Sequence, residues 1–314
     1  MKKILCICFS STLQRTITFE NLTLEKVNRS KKYRQDASGK AVNSARVLNQ
    51  LQKGCAITIC PLGQNNQQLF LDLANGDNLD LRTVAIPGFT RECWTLLDKI
   101  AGTTTELVVS EPVLSNDDEI ATVKNAEIKL LKIINEAFSE VDAVLLAGSR
   151  PSIWSKDLYA TIAGMAKDAG KLFLADYIGE DMQKTLKSAI PDIIKINDEE
   201  FTRTFISNGD SSECKLDNGD NPRLKEAIIN KSKELGNMIV VTRGVNSTYA
   251  AQNGKFFECP CEVVKAVNTT ACGDSFNAGF LFEYINTGNF ESALKKGTWC
   301  AARNAELETP GAVN

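Results

Sequence analysis

The chain has 314 residues, 43% of them apolar and 24% charged, with a formal net charge of −3 and no histidine. The Lys and Arg residues are scattered, which argues against a nucleic-acid face, and no apolar run approaches the ~20 residues of a membrane span. Without histidine there is no His-based triad or His-ligated metal, and any general base must be Asp, Glu, Lys, Cys or Tyr.

Met1-Lys2-Lys3 followed by an apolar stretch mimics the start of a signal peptide, but the stretch is short and polar residues follow from Ser10. Ile4–Phe9 is therefore predicted as the first strand. The ten cysteines, several inside apolar segments (Cys6, Cys8, Cys55, Cys60, Cys93), read as reduced thiols of a cytoplasmic protein. Thr16 to Phe19 alternates polar and apolar residues, as an exposed antiparallel strand does. Val42, Ala45, Leu48 and Leu51 follow a helical period, and Ala56–Pro61 reads as a buried strand. Alternation returns in Arg91–Lys99 and Thr105–Val109. With Thr16–Phe19 these predict a small sheet over one end of the core, a lid. Ile128, Leu131, Ile134 and Phe138 give a second helical stripe. Ala143–Ala147, Leu172–Asp176, Ile193–Ile196 and Met238–Thr242 read as further buried parallel strands. Asn208–Asn221 is rich in Asp, Asn, Ser and Gly and reads as a surface loop. Strands alternating with helices predict an α/β fold, a parallel sheet with helices on both faces, as one large domain with a smaller appendage. No strand is followed by a G-x-G-x-x-G turn, so a dinucleotide dehydrogenase is disfavoured.

The most informative segment is Asn268-Thr269-Thr270-Ala271-Cys272-Gly273-Asp274-Ser275-Phe276-Asn277-Ala278-Gly279. The apolar run Val263–Val267, interrupted by Lys265, leads into small residues. An Asp and a helical pattern (Phe276, Phe280, Leu281, Tyr284) follow, predicting strand, tight turn and helix. Small residues let a ligand approach the backbone, and a helix start favours an anion through its free N–H groups and its dipole. Asp274 beside a phosphate then needs a task, and taking a proton from an attacking hydroxyl is one. The plainer alternative is a helix N-cap. Other polar residues also follow predicted strands: Gly148 and Ser149, Asn197 and Glu200, and Thr242, Arg243 and Gly244. Ligands of open parallel sheets bind at such carboxyl ends.

Taken together, these motifs resemble the PfkB/ribokinase carbohydrate kinase family, most of all its 1-phosphofructokinase and tagatose-6-phosphate kinase branch. Asn268–Gly279 is similar to the family's carboxy-terminal Gly-Ala-Gly-Asp signature, and Ser38-Gly39-Lys40-Ala41-Val42-Asn43 to its amino-terminal Gly-Gly-Lys-Gly-Ile-Asn signature. Asn197-Asp198-Glu199-Glu200 carries the Asn-x-x-Glu motif. The resemblance spans essentially the whole chain. It implies a three-layer Rossmann-like (ribokinase-like) core of residues 1–10, 37–87 and 114–314, with a β lid of residues 11–36 and 88–113. It also implies transfer of the ATP γ-phosphoryl group to a hydroxyl of a sugar phosphate, fructose 1-phosphate or tagatose 6-phosphate, with Mg²⁺.

Carried over by resemblance, Asp274 is the base and the N–H groups of Ala271, Cys272 and Gly273 are the anion hole. Asn197 and Glu200 arrange Mg²⁺ through water. Lys195, Asn197, Thr242, Gly244 and Asn304 attend the nucleotide. Gln14, Ser38, Gly39, Lys40 and Asn43 line the sugar pocket, and Arg91 holds the substrate's own phosphate. Arg29 or Lys26 is the candidate helper from a second subunit of a lid-paired homodimer. Gln14 stands where the family usually has an Asp, Ser38 where it has Gly, Ala271 where the anion hole has its first Gly, and Cys272 where Ala is usual. These departures motivate a second reading, a weak or inactive relative that senses nucleotide or sugar phosphate. A kinase for a different sugar or for a nucleoside is a third.

Overall fold

The computed structural model describes residues 1–111, 113–206 and 220–314. The loop predicted at 208–221 lies outside the described residues except for Asp220 and Asn221.

In chain order the elements are β1 (Ile4–Ile7), β2 (Thr12–Phe19), β3 (Lys32–Ser38), α1 (Lys40–Leu51), β4 (Ala56–Gly63), α2 (Gln67–Gly76) and β5 (Asp80–Ile86). There follow β6 (Arg91–Asp98), β7 (Thr103–Val108), α3 (Asp117–Ala137), β8 (Ala143–Ala147), α4 (Leu158–Asp168), β9 (Leu172–Asp176) and α5 (Gly179–Ser188). The chain continues with β10 (Ile193–Asn197), α6 (Asp198–Phe201), α7 (Pro222–Leu235), β11 (Met238–Arg243), β12 (Asn246–Gln252), β13 (Lys255–Cys259), α8 (Cys272–Thr287) and α9 (Phe290–Ala305).

Nine strands form one sheet in the order β13-β12-β11-β10-β9-β8-β1-β4-β5. It is parallel from β5 to β11, and β12 and β13 are added antiparallel at one edge. The central strands are largely apolar on both sides because helices cover both faces. In β1 and the residues just after it, Leu5, Ile7 and Phe9 pack into the cluster with α3 and α4. Ile4, Cys6 and Cys8 pack into the opposite cluster with α1, α8 and α9. Each such buried Leu, Ile or Phe side chain contributes about 1.5–3 kcal/mol from burial.

A second sheet, in the order β3-β2-β6-β7, lies apart from the first. Its alternating strands β2 and β6 pair in parallel, with β3 and β7 antiparallel at the edges. Strand β3 (KYRQDAS) is too polar for its pattern to announce a strand, and pairing with β2 forms it.

Two predicted details differ. The α3 stripe is shifted: Val123, Ala126, Leu130, Ile134 and Ala137 are buried, while Ile128 is exposed. The segment Val263–Val267 is not a strand. Strand β13 ends at Cys259, and Val263 is fully exposed with no strand partner among the described residues. The backbone is tied instead at Val267 and Asn268, whose N–H groups donate to the Ala305 carbonyl. The turn before α8 is thus held by α9.

Candidate active site

Asp274 is the third residue of α8 and is 7% exposed. Its Oδ2 accepts from Asn43 Nδ2 on α1 at 2.8 Å, and its backbone carbonyl accepts from Ser44 Oγ at 2.8 Å. Asn43 is fixed in turn by Ser38, whose Oγ donates to Asn43 Oδ1 at 2.9 Å. The two sequence signatures, far apart in the chain, therefore meet side chain to side chain. Burial raises the Asp274 carboxyl to about 6, against the pull of Lys40 and the hydrogen bond from Asn43. A carboxyl in that range is ionised at neutral pH yet basic enough to accept a proton.

Beside it lies a cluster that the sequence reading did not foresee. Asp176, the last residue of β9, is buried and holds two cations. Lys40 Nζ is 2.9 Å from Asp176 Oδ1, and Lys195 Nζ is 3.5 Å from Asp176 Oδ2. Asn277 Nδ2, one turn along α8 from Asp274, donates to the same Oδ2 at 2.6 Å. Burial alone would raise the Asp176 carboxyl. Lys195, Lys40 and Asn277 more than offset this and hold it at about 2. Burial likewise opposes the Lys40 ammonium, but Asp176, Glu200 and Asp274 raise it above its usual value. The signal in the sequence was slight: an Asp closing the apolar run Leu172–Asp176.

The turn before α8 is unusual. Ala271 has φ 66°, the left-handed region that favours glycine. Its side chain stays because the turn is anchored around it. Asn304 Nδ2 donates to the Thr270 carbonyl at 2.8 Å, and Asn268 Oδ1 accepts from the Thr270 N–H at 3.0 Å. Asn304 is fully buried, and its Oδ1 also accepts from Ser275 and Gly311. It lies beneath the turn and does not line the cleft. The Cys272 N–H is directed back to the Thr269 carbonyl at 3.3 Å. A Cβ on Gly273 would stand 2.9 Å from Lys195 Nζ, so glycine there lets the ammonium approach the helix start. The Cys272 thiol is raised to about 11 by burial, despite its place at a helix N-terminus.

These groups open onto a cleft of about 820 Å³. Lys40, Asp176, Lys195 and Asp274 line its floor together with Ala271, Cys272 and Gly273. Asn197, Glu200, Thr242 and Gly244 line it too, and Thr104 and Glu106 of β7 reach it from the lid sheet. Asn197 and Glu200 cap α6 reciprocally: Asn197 Oδ1 accepts the Glu200 N–H at 2.7 Å, and Glu200 Oε2 accepts the Asn197 N–H at 2.9 Å. Glu200 Oε1 remains directed toward Lys40 Nζ at 3.8 Å.

The remaining expected residues lie around the lid. Gly39 has φ 126°, and a Cβ there would meet Cys8 Sγ at 2.7 Å, so only glycine fits. Gln14 is buried on β2 and donates from Nε2 to Thr95 Oγ1 at 2.7 Å. Arg91, at the start of β6, donates from Nε to Thr12 Oγ1 at 2.9 Å and is paired with Glu111 at 3.0 Å. Arg29 and Lys26 are exposed in the connection between β2 and β3 and do not line the cleft.

With this geometry in view, comparison with known proteins gives a consistent result. The model of the pfkB family carbohydrate kinases matches residues 3–312. A curated tagatose-6-phosphate kinase of Staphylococcus epidermidis is 27% identical over 312 residues, covering 99% of this chain and 94% of that protein. Among solved structures, phosphofructokinase-2 of Escherichia coli in complex with potassium superposes with a TM-score of 0.78 at 17% identity, covering 98% of this chain and 94% of the other. A possible 1-phosphofructokinase of Thermotoga maritima gives a TM-score of 0.79 at 17% identity, covering 98% and 93%. The chain belongs to the pfkB family of carbohydrate kinases and has the ribokinase-like fold.

Proposed function

We infer that this pfkB-family sugar kinase transfers the γ-phosphoryl group of ATP to a hydroxyl of a sugar phosphate, with Asp274 as the general base. Fructose 1-phosphate and tagatose 6-phosphate are the favoured acceptors. The observation that carries this reading is the placement of Asp274. A buried carboxyl raised to about 6 stands at the first turn of α8, where an anion is favoured, and shares a cleft with two ammonium groups.

The residues divide the work. Lys40 and Lys195, fixed by Asp176, set positive charge beside the phosphoryl group in flight. The N–H groups of Ala271 and Gly273 and the α8 dipole add to it. Asn43 holds the Asp274 carboxylate toward the acceptor hydroxyl. The proton passes from that hydroxyl to Asp274 as the new O–P bond forms and ADP leaves. Thr242 and Gly244 line the same cleft and are assigned to the nucleotide phosphates.

The cleft also fits Mg²⁺. That ion needs one or two carboxylates and otherwise keeps waters and phosphate oxygens, and Glu200 has an oxygen directed into the cleft beyond its capping role. Bound there, Mg²⁺ would neutralise charge on the β- and γ-phosphates.

At the acceptor end, Arg91 is the candidate for the substrate's phosphate, displacing Glu111. A homodimer through the lid is supported by β7, whose residues are all exposed on a free sheet edge, and by exposed Leu24, Val27, Leu107 and Val108. The sensor reading draws on Gln14, which is committed to Thr95, and on the strained Ala271.

An ADP-release assay separates these. Robust turnover on fructose 1-phosphate or tagatose 6-phosphate, and little on free sugars or nucleosides, supports the kinase. Tight ATP binding with no turnover on any acceptor supports the sensor.

A further inference from the structure

The turn that faces the phosphates is held from two sides, by the core and by the lid. From the core, Asn304 and Asn268 grip the backbone of Thr270. From the lid, Glu106 Oε1 on β7 accepts from Thr270 Oγ1 at 2.9 Å, across 164 residues of sequence. Among the described residues this is the one side-chain hydrogen bond that ties β7 to the core. Within one chain, strand β7 is an exposed edge paired only with β6, so little else in the described residues fixes its height above the cleft. The residue next to Thr270 is Ala271, whose left-handed backbone persists only where its surroundings enforce it.

We propose that Glu106 is a positioning residue that couples closure of the lid to the geometry of the phosphate-facing turn. When β7 is down over the cleft, the Glu106 carboxylate draws the Thr270 hydroxyl and holds the 271–273 backbone in the strained conformation. When the lid lifts, that hold is released and the turn is free to relax toward an unstrained backbone. Phosphoryl transfer is then competent only while the lid excludes water, which limits wasteful hydrolysis of ATP. The coupling rests on the reading of 271–273 as the anion-binding turn. Glu106 touches neither Asp274 nor the two ammonium groups by any hydrogen bond or ion pair among the described residues, so its effect acts through Thr270.

The test is a double-mutant cycle of Glu106→Ala and Thr270→Val, with Glu106→Gln as the conservative variant. Two readouts are taken: kcat with the acceptor the enzyme uses, and the rate of Cys272 alkylation resolved by peptide mass spectrometry. Losing one charge-assisted hydrogen bond is expected to lower kcat by about tenfold in each single variant. The double variant is expected to be no worse than either single, the acceptor KM to change little, and Glu106→Gln to retain most of the rate. Cys272, in the loosened turn, is expected to alkylate several times faster in Glu106→Ala and Thr270→Val, but not in Glu106→Gln. Multiplied losses in the double variant, an effect confined to acceptor KM, or unchanged Cys272 alkylation in the single variants would overturn the coupling. The alkylation arm decides it even if no acceptor supports turnover. Loss of turnover in Asp274→Asn with full turnover in Glu106→Ala would reject the coupling and leave the kinase reading standing.

Discussion

The amide of Asn43 donates to the carboxylate of Asp274 at 2.8 Å, across 231 residues of sequence. The contact joins the helix after the lid's first crossing to the helix of the phosphate-facing turn. On the reading of Asp274 as the base, this contact aims it, and Ser38 fixes the amide of Asn43.

Replacing Asn43 by Ala should leave the Asp274 carboxylate buried without its donor. Turnover should fall by ~10- to 100-fold, with nucleotide affinity nearly unchanged, since positioning groups act mainly on the reacting geometry. Ser38→Ala should have a smaller effect in the same direction. Steady-state kinetics with isothermal binding of an ATP analogue checks both.

The raised carboxyl of Asp274 carries a pH signature. As a base it must be ionised, so kcat/KM should fall below pH about 6, by about tenfold per unit. Stability runs the other way. Because the folded-state value lies above the unfolded one, the native state binds the proton more tightly. The advantage is complete below pH about 4 and is lost as pH rises through about 6. Asp274→Asn should therefore be more stable than the parent at pH 8, by up to about 3 kcal/mol. The difference should shrink toward pH 4. Thermal melts at the two pH values measure it.

Asp176 shows the opposite sign. Its carboxyl, held at about 2, contributes stability above its unfolded value near pH 4 that is lost as pH falls toward 2. Asp176→Asn should leave the buried Lys195 ammonium without its carboxylate, while Lys40, whose side chain is 39% exposed, keeps access to water. The expected destabilisation is about 3–5 kcal/mol, the usual scale for breaking one side of a buried ion pair. Denaturant melts at pH 7 would show it, and a change under 1 kcal/mol would mean that the two lysines find other partners.

Ala271→Gly should stabilise the fold by about 1 kcal/mol, because glycine adopts the left-handed conformation without a Cβ penalty. Its catalytic rate should not fall, since the backbone N–H groups are unchanged. A loss of stability would mean that the alanine side chain itself packs usefully in the turn.

The acceptor end makes a separate prediction. Arg91→Ala should raise KM for a phosphorylated acceptor by roughly 10- to 100-fold with a smaller change in kcat. Glu111→Gln, which frees the guanidinium from its ion pair, should lower that KM. If neither moves KM, the acceptor's phosphate is held elsewhere.

The sheet core was legible because its strands are buried on both faces and read as apolar runs. Ala143–Ala147 and Leu172–Asp176 match their predicted bounds, and the carboxyl ends of the other predicted core strands moved by one or two residues. Strand β3 was not legible, because its residues are polar and only pairing with β2 makes it a strand. Val263–Val267 misled in the other direction: an apolar run suggested a strand where, among the described residues, no neighbouring strand receives one. At the site, Asp274 and the small residues of the turn stood out through their local pattern, and Lys40 through the resemblance of residues 38–43 to the family's amino-terminal signature. Asp176 and Glu106 did not, because each matters through partners distant in sequence. Lys40 is 136 residues from Asp176, and Thr270 is 164 residues from Glu106. No local pattern reports such a meeting.

The most direct measurement is ADP release by the parent enzyme and by Asp274→Asn with ATP, Mg²⁺ and either fructose 1-phosphate or tagatose 6-phosphate. The parent should turn over on at least one of them. The variant should be slower by at least ~100-fold, the scale of general-base catalysis, while still binding ATP. Undiminished turnover in Asp274→Asn would contradict the assignment of the base.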